Sequence, residues 1–270
     1  MQSTGELQQM HERIRFTCNI CGSTSENETN RFHRELPDCH YCGSTPRFRG
    51  LALALCESLF GRPVLLIDAI NAKNLHGLGM SDWPVLVALL DEKFSHTNTF
   101  FHTEPRYDVM KDEPSIYRNL DYVICSEVFE HVLAPLERGF KNLRRMLRPG
   151  GSLIFSTPYT SAPETLEHFP GMRKFTLQEV EGVWELRAKI GWRTRVYRGL
   201  IFHGGPGTVL EMRVWSKEHL FSLLNNAGFT DVRAAPFNPS VGYCWPLNIE
   251  RPEIGHLSLN YIISAKAPSK

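Results

Sequence analysis

The chain has 270 residues, of which 42% are hydrophobic, so it is long enough for one large globular domain or for a domain with an appendage. Its 30 basic and 29 acidic side chains leave a formal net charge of +1, which excludes a strong overall attraction to nucleic acid. No apolar run approaches the ~18 residues of a membrane span, and the first 15 residues lack the apolar core of a signal peptide. We therefore expect a cytoplasmic protein without a membrane span.

Two C-x-x-C pairs, 17 residues apart, lie near the N-terminus, and each is followed at once by glycine, in CNICG and CHYCG. The four cysteines are Cys18, Cys21, Cys39 and Cys42. Glycine permits the tight turn after each pair, so the two turns can bring four thiolates around one Zn²⁺, as in zinc ribbons. The alternatives are two disulfides, which a cytosolic protein disfavours, and unliganded thiols. The pattern predicts a zinc ribbon at residues 16–50 after a flexible terminus at 1–15, with a structural metal that takes no part in chemistry.

Alternating helix and strand patterns follow the ribbon and indicate an α/β domain. An apolar helix, LALALCESLF, is ended by Gly61, and the sequence SDWP opens a second helix, because proline is favoured in a first turn. The predicted first, second and third strands are residues 64–67, 75–80 and 99–102.

The stretch from residue 120 to residue 158 has the pattern of one βαβ unit. Residues 122–125 and 153–155 are apolar runs too short for helices, and strands apolar on both faces are typical of parallel sheets covered by helices. Between them, apolar residues recur at helical spacing, and Pro149 with the two glycines after it is expected to end the helix. Ligands of open α/β sheets bind beyond the carboxyl ends of the strands. The crevice is therefore expected beside Ser126, Glu127, Glu130, His131 and residues 157–160.

The strand DYVICSEVFEHV and the helix end RRMLRPGG together resemble the class I S-adenosylmethionine-dependent methyltransferases, and the resemblance covers roughly residues 62–265. It implies an α/β, Rossmann-like fold with a doubly wound, mostly parallel sheet of seven strands, and S-adenosylmethionine as cofactor. Residues 51–265 would form this domain behind the small zinc ribbon. Because sheet topology alone does not fix chemistry, a doubly wound domain with another ligand is the alternative.

The resemblance also implies a set of cofactor-binding residues. An acid after the first strand, here Asp68, should stand before a glycine-rich turn beneath the methionine part of the cofactor, yet the chain has no glycine between Asp68 and Gly77. An acid after the second strand, Asp82, is expected to bind the ribose hydroxyls, and its alternative role is a helix N-cap. Asp108, 13 residues before Asp121, is expected to contact adenine, with Asp112 as the second choice. Ser126, Glu127 and His131 complete the predicted cofactor site.

A long insert, residues 158–213, precedes the helix SKEHLFSLLNNAGF and is expected to form the acceptor side of the crevice. Thr176 and Glu179 have the spacing of a capping box and predict a helix there. Residues 173–198 hold seven basic and three acidic side chains, which fits either a solvated face or contact with an anionic substrate. Further strands are predicted at 232–235 and 257–265 to complete the sheet.

Two histidines of the insert are the predicted catalytic residues, because an acceptor hydroxyl must lose a proton and histidine titrates near neutrality. His168, in the segment EHFP, is ranked first. His203, which precedes GGPG and is followed on the returning strand by Glu211, is ranked second. His131 is a third candidate, and a surface histidine is the alternative for each.

The segments EHFP and FHGGPGTVLEMR further resemble bacterial zinc-ribbon methyltransferases associated with surface-glycan genes. This implies methylation, most simply at oxygen, of a small or glycan-linked polar acceptor. One alternative is a zinc-dependent binding or scaffold protein with a degenerate cofactor site, because the expected glycines are missing. Another is an rRNA methyltransferase, which a ribbon before such a domain also resembles. Residues 1–50 hold six arginines and six acids, however, so the ribbon has no net positive field for phosphates, which argues against a nucleic-acid partner.

Overall fold

The computed structural model describes residues 13–111, 117–247 and 255–269 of the chain. The helices are α1 (Pro46–Phe60), α2 (Pro84–Lys93), α3 (Glu137–Met146) and α4 (Lys217–Asn226). The longer strands are β1 (Arg13–Thr17), β2 (Thr24–Glu28), β3 (His76–Met80), β4 (Ser95–Thr99), β5 (Leu120–Ser126) and β6 (Leu147–Ser156). The insert and C-terminal part contain β7 (Tyr159–Thr160), β8 (Leu166–Glu167), β9 (Lys174–Val180), β10 (Val183–Ile190), β11 (Arg193–Tyr197), β12 (Phe202–His203), β13 (Val209–Leu210), β14 (Arg213–Ser216), β15 (Thr230–Ala234) and β16 (Ile263–Lys266).

The main sheet has the strand order β15-β16-β6-β5-β3-β4. Strands β4, β3, β5 and β6 run parallel, whereas β16 and β15 are antiparallel to their neighbours. The fold is therefore the expected Rossmann-like α/β arrangement, but six strands stand in the described ranges where seven were predicted. The two C-terminal strands lie near their predicted positions.

The sequence prediction for the first strand was wrong. Strand β3 pairs with β5 on one side and β4 on the other, so it occupies the inner place that residues 64–67 were expected to take. Residues 64–67 are apolar because they pack in the core beside α1, where Leu66 is fully buried. The backbone N–H of Leu66 bonds to the carbonyl of Asn19, 2.7 Å away in the ribbon, and a short 3₁₀ turn, Leu66–Asp68, follows. The third predicted strand, 99–102, is likewise misplaced, since β4 ends at Thr99.

The helices cover both faces of the main sheet. A hydrophobic cluster on one face joins α1 and α2 to Tyr122 and Ile124 of β5, and it continues into the ribbon through Phe16 and Cys18. A second cluster on the opposite face joins α3 and α4 to Val123 of β5. Within the described ranges, no helix has the length and apolar character needed to cross a membrane.

The ribbon is a β1–β2 hairpin followed by a loop that leads directly into α1. Residues 13–15, expected to be flexible, belong to β1, and residues 1–12 lie outside the described ranges. Arg49 of α1 is fully buried and binds Asp38 at 2.6 Å and the carbonyl of Gly242 at 2.6 Å. The predicted domain boundary between residues 50 and 51 therefore falls inside a helix that packs against both parts.

The insert contains strands where a helix was predicted. Thr176 and Glu179 belong to β9, which forms an antiparallel sheet of three strands with β10 and β11. Glu181 and Gly182, both with positive φ (51° and 78°), make the tight turn between β9 and β10 that favours a hairpin. A smaller difference concerns α3, which ends at Met146, so that Pro149 and the glycines after it lie within β6.

Candidate active site

A crevice with a cavity volume of about 1490 Å³ lies at the carboxyl ends of β3, β5 and β6. This exceeds the roughly 300–1,000 Å³ of a typical small-molecule site, so the crevice has room for a cofactor and an acceptor together. Its walls include six of the predicted site residues: Asp82, Asp108, Ser126, Glu127, His131 and His203. Asp68 does not line the crevice, because the 3₁₀ turn that holds it is not at the end of a sheet strand.

Asp82 follows β3 in a turn that Ser81 makes with a left-handed backbone (φ 59°). Ser81 therefore supplies the conformation that glycine usually provides, and the glycines stand earlier, within β3 itself. Gly79 leaves the space that the Asp82 carboxylate occupies, since a Cβ there would overlap Asp82 Oδ2. The missing glycine-rich turn after Asp68 thus reflects the misplaced first strand.

The carboxylate of Asp82 is buried, and its Oδ2 has no hydrogen-bond partner within the described ranges. Burial raises the pKa of Asp82 to about 7, although the positive charge of Arg47 offsets part of this effect. The structure gives no support for the N-cap role, because Trp83 is the N-cap residue of α2. The ribose contact was predicted for an acid after the second strand, whereas β3, which Asp82 follows, takes the place expected for the first strand.

Glu127 lies in the turn after β5 with a left-handed backbone (φ 55°) and is bound by an arginine of the ribbon. Arg34 donates to both carboxylate oxygens, from Nη1 to Oε2 at 2.9 Å and from Nη2 to Oε1. Burial of Glu127 opposes its ionisation, but the Arg34 charge and hydrogen bonds outweigh it and lower its pKa to about 2. A second ribbon arginine, Arg47, donates from Nη1 to Ser126 Oγ at 2.5 Å.

Sequence reasoning missed Arg34 and Arg47 as residues of the crevice. Arg34 and Glu127 are 93 residues apart, so no local pattern signals their contact. The position of Arg47 in the first turn of α1, where the ribbon meets the domain, was the one available signal.

A group formed by His168, Glu211 and His203 lies in the wall that the insert contributes. Glu211 is fully buried, with Oε1 2.8 Å from His168 Nε2 and Oε2 3.0 Å from His203 Nε2. His203 lines the crevice, whereas His168 lies behind Glu211 and does not. The structure thus brings the two predicted catalytic histidines onto one carboxylate, which we call the His168–Glu211–His203 group.

His131 and Glu130 adjoin this group. His131 Nδ1 lies 2.9 Å from the carbonyl oxygen of Leu210, and its ring packs edge-on against His203 with centroids 4.8 Å apart. Burial lowers the pKa of His131. Glu130 is fully buried, and its Oε2 accepts a hydrogen bond from Thr157 Oγ1 at 3.0 Å. Burial, followed by the nearby charge of Glu127, raises the pKa of Glu130 well above its usual value.

Asp108 lines the crevice in the loop after β4. Its Oδ1 accepts a hydrogen bond from the backbone N–H of Met110 at 3.0 Å, and Lys111 Nζ is 3.9 Å from its Oδ2. The second-choice residue, Asp112, lies outside the described ranges.

The four cysteines of the ribbon converge on one point. Their sulfur atoms all lie within 4.8 Å of one another, with Cys18 and Cys42 at 3.8 Å and Cys21 and Cys39 at 3.7 Å. Gly22 and Gly43 have positive φ (75° and 71°), as the sequence pattern predicts. Four thiols at these distances fit the tetrahedral shell of a structural zinc ion.

A family model described as a methyltransferase domain matches residues 50–234, which is more than half of the chain. The fold, the crevice and this match together define the class: the chain belongs to the methyltransferase-domain family and is an enzyme of that kind. No curated protein sequence matches the chain.

Several solved structures are similar over most of the chain. An S-adenosylmethionine-dependent methyltransferase from Clostridium acetobutylicum ATCC 824 is 12% identical, with a TM-score of 0.44, and covers 83% of this chain and 92% of its own. The glycopeptide N-methyltransferase MtfA, in complex with S-adenosylmethionine, is 15% identical with a TM-score of 0.43, and the match covers 82% of this chain and 94% of MtfA. The sugar N-methyltransferase KedS8 from Streptoalloteichus sp ATCC 53650 is 11% identical with a TM-score of 0.40, and the match covers 72% of this chain and 80% of KedS8. At these values the likeness carries no argument about substrate, and family membership rests on the domain match.

Proposed function

We propose that this methyltransferase transfers a methyl group from S-adenosylmethionine to an oxygen of a small or glycan-linked polar acceptor. One observation carries the proposal: the buried carboxylate of Asp82, whose Oδ2 has no partner among the described residues, lines the same crevice as His203 and Glu211. When bound, S-adenosylmethionine supplies a sulfonium methyl group that an aligned nucleophile can displace in line. The protein then needs to hold the cationic cofactor at one side of the crevice and to remove a proton from the acceptor at the other side.

Asp82 and Asp108 are the residues that we assign to cofactor binding. In the family that the sequence resembles, the turn after the first strand lies beneath the methionine part, and we assign that role to the turn after β3, which holds Asp82. A buried carboxylate oxygen without a partner suits the ammonium group of that part, because a charge-assisted hydrogen bond satisfies both groups. Asp108, on the loop after β4, is assigned to the adenine amino group.

The loop after β5 is assigned to the cofactor as well, through Ser126, Glu127 and His131. The ribbon holds this loop from outside, since Arg34 and Arg47 bind Glu127 and Ser126. We further propose that one zinc ion, bound by the four cysteines, keeps these two arginines in place. Zinc has a structural role here, because four thiolates leave it no open position.

Removal of the acceptor proton is assigned to the His168–Glu211–His203 group. Glu211 is bonded to both rings and so orients them, and His203 is the histidine of the pair that lines the crevice. His168 then acts as a positioning residue that holds Glu211 from behind. This arrangement of a histidine oriented by a carboxylate is common among general bases.

The acceptor is assigned to the side of the crevice that the insert forms. Phe175 and Leu177 of β9 line the crevice there, and the seven basic side chains of residues 173–198 are all exposed. An apolar wall beside an exposed positive surface suits a polar acceptor that carries negative charge, such as an anionic glycan.

Titration calorimetry with S-adenosylmethionine on the zinc-containing full chain tests the proposal. We expect saturable binding at one site per chain, and a loss of about tenfold or more in affinity for Asp108→Asn. The matched control is Glu104→Gln, an exposed acid of the same loop. Absence of heat at every accessible concentration would contradict the proposal and favour a binding or scaffold protein with a degenerate site.

A further inference from the structure

A second set of metal-ligand side chains lies in the crevice wall, apart from the four cysteines. Glu130, His131 and His203 each offer one ligand atom, and these atoms lie within 4.8 Å of one another. Two imidazole nitrogens and one carboxylate oxygen form a ligand set that catalytic zinc sites use, with a remaining position open to water or substrate. We propose that these three residues bind a divalent transition-metal cation in the wall of the crevice.

The two histidines are oriented as metal ligands usually are. Nδ1 of His131 is held by the carbonyl of Leu210 at 2.9 Å, and Nε2 of His203 is held by Glu211 at 3.0 Å. Histidines that bind metals commonly place one ring nitrogen on a fixed carbonyl or carboxylate, which fixes the tautomer and leaves the other nitrogen for the metal. Glu211 and Leu210 would therefore serve as supporting groups behind the ligands.

Glu130 gives an independent indication of a cation. Its side chain is fully buried, and its Oε1 has no hydrogen-bond partner within the described ranges, although it lies 3.6 Å from His131 Nε2. Arg34, whose positive charge acts on Glu130, is already bound by Glu127 through both carboxylate oxygens. A buried carboxylate oxygen that lacks a partner is costly unless a proton or a cation satisfies it.

The position of the three residues leaves the cation accessible to a ligand. His131 and His203 line the crevice, whereas Glu130 lies behind them. A cation held from the back and sides presents its remaining coordination positions to the crevice, on the side formed by the insert. The site thus differs from the four-cysteine site, whose coordination shell is complete.

The role of this cation rests on the proposed methyl transfer. A cation at this place can bind the acceptor oxygen and lower the pKa of its hydroxyl group. His203 is then a ligand, with one ring nitrogen on the cation and the other on Glu211, so the proton leaves to water in the open crevice and not to this imidazole. Acceptors with two neighbouring oxygens, such as the vicinal diol of a sugar, would be favoured because both oxygens can bind one cation.

Cobalt binding by the full chain, with its ribbon zinc retained, tests the inference. Calorimetry and metal analysis should show one Co²⁺ per chain in addition to the zinc. Absorption spectra should show no charge transfer from thiolate to cobalt, because the proposed ligands include no cysteine. Loss of a supporting residue behind a metal ligand typically weakens metal binding by about 10- to 100-fold. His131→Ala and His203→Ala remove ligands, so each should weaken cobalt binding by more than that. His203 is 34% exposed, so its replacement should leave the fold intact. His219→Ala, an exposed histidine on α4, is the matched control and should bind cobalt as the unchanged protein does.

Cobalt that appears with thiolate absorption alone, or an affinity that both histidine variants leave unchanged, would overturn the cation site. Calorimetry with S-adenosylmethionine on the same samples separates this inference from the proposed function. Cofactor binding without cobalt binding overturns the cation site alone, whereas cobalt binding without cofactor binding overturns the methyl-transfer proposal and leaves the cation site standing.

Discussion

At the scale of single residues, Asp82 links cofactor binding to pH. Burial raises its pKa to about 7, and a cationic group placed beside it would favour the ionised form and lower that pKa. Binding of S-adenosylmethionine near pH 7 should therefore release part of a proton, and affinity should rise as the pH is raised through about 7. Calorimetry in buffers with different ionisation enthalpies measures the number of protons released. A binding enthalpy that is independent of the buffer would contradict this role.

The variant Asp82→Asn separates a cofactor contact from a structural role. Without the carboxylate, affinity for the cofactor should fall by about tenfold or more. The pKa of Asp82 is raised relative to the unfolded chain, so stability is lost as the pH rises from about 4 to about 7, and the whole loss is present at pH 8. The variant should therefore melt at a higher temperature than the unchanged protein at pH 8. Asp91→Asn, an exposed acid on α2, is the control, and lower stability with intact affinity would assign Asp82 a structural role.

The two histidines on Glu211 should differ in their effect on turnover. His203 meets the crevice, so His203→Ala should reduce turnover by about 10²- to 10⁴-fold, the usual contribution of a general base, with cofactor affinity preserved. His168 acts through Glu211, so His168→Ala should shift the pH profile of turnover and cost less. Turnover measured against pH with His219→Ala as control checks both expectations, and equal turnover in all three variants would remove the group from the reaction.

At the scale of elements, the ribbon contributes part of the crevice wall and shares a hydrophobic core with α1 and the main sheet. Arg34 reaches from the ribbon to the turn after β5, and both partners are largely shielded from water, with side-chain exposures of 7% and 19%. Removing one partner of such a pair leaves a buried charge uncompensated, which is strongly destabilising. The ribbon and the domain should therefore unfold together.

Replacing Arg34 by alanine tests this connection. Loss of one partner of a buried pair typically costs about 3–5 kcal/mol of the free energy of unfolding, so Arg34→Ala should be destabilised at pH 7 by that order. Because Arg34 holds the pKa of Glu127 at about 2, its contribution is fully present above the unfolded value near 4 and is lost as the pH falls toward 2. The difference between the two proteins, measured by urea denaturation, should shrink over that range. Arg31→Ala, exposed on the same ribbon, is the control.

The cysteine site should affect the crevice through the same arginine. Zinc binding supplies much of the folding free energy of a ribbon, so Cys39→Ser should release the metal and loosen the segment that carries Arg34. We expect weaker binding of S-adenosylmethionine in this variant, although no cysteine lines the crevice. Metal analysis and calorimetry are the measurements, with Cys244→Ser, outside the ribbon, as control. A full zinc complement in Cys39→Ser would refute the assignment of the four cysteines.

At the scale of the whole molecule, local patterns predicted the parts of the fold that depend on local sequence. The βαβ unit, the helix ended by Gly61, the helix in SKEHLFSLLNNAGF and the approach of the four cysteines all appear where periodicity and glycine turns indicate them. Even the crevice edge after β5 was predicted, because it follows from where a parallel strand ends.

The errors arise where distant contacts decide the structure. The apolar run 64–67 looked like an inner strand, but its burial is satisfied by α1 and by a hydrogen bond to the ribbon. Residues 75–80 were predicted as the second strand, but β3 takes the place between β4 and β5, where its two glycines make room for Tyr122 and Asp82. The contact of Arg34 with Glu127 was missed for the same reason, because only the complete fold brings these two residues together.

Arg34 and Glu127 are also made at different times during synthesis of the chain. All four cysteines precede α1, so they leave the ribosome first and can take up zinc before any strand of the main sheet exists. Glu127 follows much later, and His203 with Glu211 later still. If the proposed zinc site is correct, we expect the metal to enter a short nascent segment and the later walls of the crevice to assemble against Arg34.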